Sequence, residues 1–156
     1  MNKLIVMLVL ICFCYGCSEQ MAVTLLSSPN EFEDATTEDA IRVGTRIEQT
    51  EVGLASYWWP EGDSDIDQTY GAYILQSLTD PNGLGILGRP YIGGQATLDI
   101  DNDGGMYAFI AGTVYEIGGV EILTEFSLRS YSEYLKLAND SGTDRYKVAI
   151  GTRFRF

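Results

Sequence analysis

The chain contains no histidine. That absence removes the side chain that titrates near neutral pH, the usual general base and the commonest metal ligand, so an ordinary Ser-His-Asp relay is excluded. Cysteine is confined to Cys12, Cys14 and Cys17, so no disulfide can brace the chain beyond them. Basic residues are scarce: 10 Lys and Arg stand against 22 Asp and Glu, a formal charge of -12. That balance argues against a role on nucleic acid or on an anionic membrane leaflet. No apolar run reaches the roughly 20 residues of a transmembrane helix. Amphipathic helical periodicity and repeats of about 20 to 50 residues are missing too.

The longest apolar run, residues 4–13, follows Lys3 and ends at Cys14-Tyr-Gly-Cys17. A positive start, a short apolar stretch and a small residue before the break make an export signal. Residues 1–17 are therefore expected to be a signal peptide and residues 18–156 one β-barrel domain. Gly16-Cys17 also matches the end of a bacterial lipobox, which would make Cys17 the lipidated first residue, although Cys14 and Tyr15 stand where Leu and a small residue are usual. Lipidation at Cys17 and ordinary cleavage near Gly16 both fit.

The remainder reads as strands separated by turn residues, over 21–27, 41–48, 51–59, 70–78, 91–100, 106–117, 120–131 and 146–156. The last is the clearest. Tyr146, Val148, Ile150, Thr152, Phe154 and Phe156 fall on one face, and Lys147, Ala149, Gly151, Arg153 and Arg155 on the other. The strand 106–117 has two similar faces, so its orientation stays open. Long or acidic connections at 30–39, 60–68, 101–105 and 132–144 alternate with tight ones at 49–50 and 118–119, with 80–89 as the exception. An even number of antiparallel strands can close on itself, so the expected fold is an all-β, antiparallel up-and-down barrel of eight strands that crosses a membrane.

Closure assigns roles to the two faces. The charged face, with Arg42, Arg46, Glu48, Glu51, Glu121, Glu125, Arg129, Lys147, Arg153 and Arg155, is expected to line a narrow lumen, where opposite charges must pair. Trp58, Trp59, Tyr70, Tyr107, Tyr131 and Tyr146 come near one end of their strands, and Tyr91, Tyr115, Phe154 and Phe156 near the other. Two aromatic belts at membrane interfaces are the expectation.

The closing Val148-Ala-Ile-Gly-Thr-Arg-Phe-Arg-Phe156 and the alternation of Arg42-Val-Gly-Thr-Arg46 resemble the small eight-stranded outer-membrane β-barrel proteins of Gram-negative bacteria, over residues 21–156. The resemblance implies insertion into the outer membrane, contact with outer-membrane lipid, and recognition of the terminal Phe156 by the barrel-assembly machinery during biogenesis. It implies no inherited catalytic residues and no cofactor. A competing expectation is a lipid-anchored soluble barrel of lipocalin-like type, with the apolar faces turned inward around a small hydrophobic ligand. Gly44, Gly53, Ala55, Ala149 and Gly151 on the polar face suit a crowded lumen better than a solvated exterior.

Asp99, Asp101 and Asp103, followed by Gly104, fit the first half of a calcium loop. Ile110 stands where the bidentate acid belongs, and a hairpin turn built from Asp, Asn and Gly accounts for the same residues. Eight strands enclose an interior that side chains fill, so a general diffusion porin is not expected. The functional expectation is an outer-membrane barrel that is not an enzyme and has a structural, interaction or surface role, its extracellular partner open.

Overall fold

Branched and aromatic side chains at alternate positions favour a pleated surface with two unlike faces. The computed structural model describes residues 20–28, 38–58, 68–80, 87–99, 104–131 and 146–156. They form eight strands: β1 (Gln20–Ser28), β2 (Glu38–Ile47), β3 (Thr50–Trp58), β4 (Gln68–Ser77), β5 (Arg89–Asp99), β6 (Gly104–Ile117), β7 (Val120–Tyr131) and β8 (Tyr146–Arg155). Each strand pairs antiparallel with the next, and β1 also pairs with β8, so the sheet closes as an up-and-down barrel. The sparse first run at 21–27 is a full member of the barrel, and no described strand is left with an unpaired edge.

Two tight turns sit at the end of the barrel where β8 finishes. Gly118 and Gly119 turn with φ of 62° and 85°, which glycine adopts without steric cost. The other turn falls at Glu48–Gln49, one residue earlier than expected, because Thr50 already pairs with Ile47. Glu48 has φ of 56°, a left-handed conformation that costs a side-chain-bearing residue about 1–2 kcal/mol.

The register fixes the width. Partners followed from Arg155 through Ala22, Gly44, Gly53, Tyr73, Gln95 and Ala108 reach Arg129. Arg129 lies one step past the Leu128–Tyr146 pair, at position 145 of the register, so one circuit climbs from 155 to 145. With strands about 4.8 Å apart and a rise of about 3.3 Å per residue, that stagger tilts them by about 40°. A strand of 10 residues such as β8 then spans about 25 Å along the axis, the height of an outer-membrane apolar band.

Burial shows which way each face points. On β8, Lys147, Ala149, Gly151 and Arg153 are buried while Tyr146, Val148, Ile150 and Phe154 are exposed. The strand whose orientation the sequence leaves open is set by its neighbours: Gly93 pairs with Ile110 and Ile92 with Ala111. Met106, Ile110 and Val114 therefore turn inward, and Tyr107 and Phe109 outward.

Candidate functional site

Every Lys and Arg among the described residues lies on the inward face: Arg42, Arg46, Arg89, Arg129, Lys147, Arg153 and Arg155. Glu51, Glu121 and Glu125 are the buried carboxylates beside them. The closed wall forces these side chains together, since a charge that cannot reach water must find a partner.

Arg42, on β2, occupies the centre and has no exposed surface. Its Nη1 donates to Glu125 Oε2 at 2.6 Å and its Nη2 to Glu125 Oε1 at 2.8 Å, a bidentate pair across the lumen from β2 to β7. Arg42 Nε and Nη2 also donate to the Tyr57 hydroxyl at 3.2 and 2.7 Å, and Nη2 to Gln95 Oε1 at 2.9 Å. Tyr57 in turn donates to Gln95 Oε1. The Tyr91 hydroxyl donates to Glu125 Oε2 at 3.0 Å, so one cation and one carboxylate are held by side chains from β2, β3, β5 and β7. The Arg42 guanidinium also lies 5.4 Å from the Tyr73 ring centre, and the Arg129 guanidinium 5.7 Å from that of Tyr57.

Glycines make room for these rings. A methyl group at Gly44 or Gly53 would run into Tyr73, and one at Gly112 into Tyr91. Gly44 and Gly53 are register partners, so together they form a floor across two strands on which the Tyr73 ring lies.

Toward the end where β8 finishes, charges are less evenly matched. Glu121 accepts from Arg89 and from Arg155 Nε at 3.1 Å, pairs with Arg155 Nη2 at 2.9 Å, and lies 3.8 Å from Arg153 Nη1. Glu51 accepts from the Tyr73 hydroxyl at 2.8 Å and pairs with Arg153 Nη1 at 3.3 Å. Arg153 Nε donates to Thr24 Oγ1 at 3.0 Å, and its buried Nη2 has no hydrogen-bond partner. Arg89, Arg153 and Arg155 thus share two carboxylates, and Arg46 joins them in lining a recess with Glu51 and Tyr91 among others.

Of the charged residues expected in the lumen, Arg42, Glu51, Glu121, Glu125, Arg129, Lys147 and Arg153 are buried there, and Arg46 and Arg155 are half-buried at the mouth. Glu48 is not among them: its left-handed turn conformation breaks the alternation and leaves it exposed. Arg89, Tyr57, Tyr73 and Gln95 complete the network without having been singled out. Arg89 lay in a stretch read as a connection, but it begins β5 and faces inward two positions before Tyr91.

Among the described side chains, the outward positions of the strands carry a single charged residue, Asp39, at the loop end of β2. Leu25, Ile74, Leu98, Phe109, Phe126, Leu128, Val148 and Ile150 are exposed on this wall. Of the expected aromatic belts, Trp58, Tyr70, Tyr115, Tyr146 and Phe154 do lie on outward positions, and Tyr146 stacks on Phe126 with ring centres 5.9 Å apart. Phe156, next to β8, is 78% exposed. Tyr91 departs from the expectation. It shares a face with Arg89, Gln95 and Thr97 and is buried against Glu125, so it belongs to the lumen and not to a belt.

Cys17, Trp59, Asp101 and Asp103 lie outside the described residues, as do the side chains of Asp99 and Tyr131. Among the described residues no three Asp, Glu or Cys side chains converge as metal ligands. No family model matches the chain, and neither a curated protein nor a solved structure matches it.

Proposed function

We propose that the chain is an integral outer-membrane β-barrel whose lumen is plugged by its own side chains, with a structural or interaction role at the cell surface. The observation that carries this reading is the distribution of charge over the two faces. The seven described cations are inward, while an exposed apolar wall about 25 Å high holds, among its described side chains, no charged residue except Asp39 at its rim. In water such a wall would be an apolar patch far beyond what monomeric soluble proteins expose. In lipid it is the required surface. A carrier of hydrophobic ligands needs an apolar cavity, whereas this lumen holds the Arg42–Glu125 bridge and its tyrosines. The bridge spans the interior, so a wide diffusion pore finds no support either. The resemblance of the closing strand to outer-membrane barrels and the export signal at residues 1–17 point the same way.

The test is fractionation of cells expressing the full sequence, followed by electrophoresis with and without boiling. Recovery with outer membranes, detergent extraction and a band that migrates differently unboiled are the expected results. A soluble protein with unchanged migration, or one released by replacing Cys17, would defeat the proposal.

A further inference from the structure

We propose that the mouth of the barrel at the end of β8 binds a phosphoryl group through the guanidinium groups of Arg46 and Arg153. Arg46, Arg89, Arg153 and Arg155 converge there, and Arg155 feels the like charges of the other three. Among the buried and half-buried groups there, Glu51 and Glu121 are the carboxylates, so two positive charges are left over, with Glu48 and Glu116 exposed to solvent at the same end. An excess of that size in a partly buried site favours a counter-ion from outside.

Donors stand ready for one. Arg153 is buried and its Nη2 has no partner. Arg46 donates through Nε to the Glu48 carbonyl at 2.7 Å, and none of its contacts in the described structure engages Nη1 or Nη2. The recess encloses about 30 Å³ of free space, room for one or two waters or for the outer oxygens of an oxyanion. It opens beside Gln49, which is exposed on the tight turn.

A phosphoryl group fits better than a carboxylate. It brings up to two negative charges, matching the excess, and its three outer oxygens suit forked arginine donors. It can arrive as free phosphate in solution or as a lipid headgroup folded over the rim. The second source rests on the membrane reading above; the first does not.

Calorimetric titration of the detergent-solubilised barrel with inorganic phosphate, dihexanoyl phosphatidic acid and acetate separates these cases. Phosphate is expected to bind with Kd of about 1 mM, roughly tenfold more tightly than acetate. Arg46→Gln, which removes one unburied partner and should leave folding intact, is expected to weaken binding about tenfold. Arg153→Gln should do the same wherever it still shows the native gel shift. Heat from phosphatidic acid alone, lost in Arg46→Gln, would assign the site to a lipid headgroup and support the proposal. No heat from either phosphate compound at about 10 mM overturns it, as does binding that Arg46→Gln leaves unchanged or that acetate equals.

Discussion

The centre of the lumen and its mouth are built from the same residue types, yet they are balanced differently. At the centre Arg42 and Glu125 satisfy each other in a bidentate pair, and Tyr57, Tyr91 and the Gln95 side-chain oxygen take up the pair's remaining donors and acceptors, leaving the Gln95 Nε2 without a partner. At the mouth Arg89, Arg153 and Arg155 share Glu51 and Glu121, Arg46 donates to a backbone carbonyl, and Arg153 keeps an unpaired nitrogen. The difference follows from distance to water. A mid-barrel charge has no recourse but a partner from the opposite wall, whereas half-buried groups such as Arg46 and Arg155 can be met by solvent or by an ion. Balance at the centre therefore reads as a requirement of folding, and imbalance at the mouth as room for a ligand.

Removing one partner at the centre should have the largest effect. Glu125→Leu strands Arg42 and is expected to cost about 3–5 kcal/mol, read from urea unfolding in lipid vesicles. Arg42→Met combined with Glu125→Leu removes the stranded charge and should return the barrel to within about 1 kcal/mol of the parent. A double variant no better than the single would break the contrast drawn here.

The wall supplies a second comparison, between two heights on the outer face. Ile150→Arg places a charge on the outer face of β8 and is expected to cost about 2–4 kcal/mol in the same assay. Ser130→Arg at the loop end of β7, six residues beyond the Thr124 that pairs with Ile150, should cost about 0–1 kcal/mol. Equal costs at the two heights would argue against a membrane band.

Smaller effects belong to the mouth. Glu48→Gly relieves a left-handed turn and should stabilise the barrel by up to about 1 kcal/mol, visible as a higher temperature for the gel shift. Arg46→Gln should change that temperature least, by the equivalent of about 0.5 kcal/mol or less. A large loss there would mean that the mouth, like the centre, is a balanced structural network.

Much of the fold was legible because the barrel obeys a period of two. Residues 146–156 alternate large outward side chains, apolar except for Thr152, with small or cationic inward ones, and Gly118-Gly119 marks a hairpin by itself. Strand β6 was opaque for a physical reason. Its buried inward positions are Met106, Ala108, Ile110 and Val114, which with Gly112 pack the lumen without carrying charge, and Glu116 comes only at the exposed end, so both faces look alike until the partners on β5 and β7 set the register. Parity was also more informative than residue type. Tyr91 suggested a membrane belt because it is aromatic and near a strand end, but it shares a face with Gln95 and Thr97, and that placed it inside. Tyr57 and Tyr73 were readable the same way, each two positions from a small inward residue of its own strand, Ala55 and Gly71. Which carboxylate meets which arginine was not readable, because those contacts cross the lumen between strands far apart in sequence.

The central claim, that the charged face is interior and the apolar wall meets lipid, is tested most directly by spin-label accessibility. Single labels at Leu25, Ile74, Ile92, Phe126 and Ile150 sample the wall on five strands. In vesicles, all five should be open to collision with dissolved oxygen and shielded from a water-soluble paramagnetic reagent. Free access of the aqueous reagent to these positions would contradict the account.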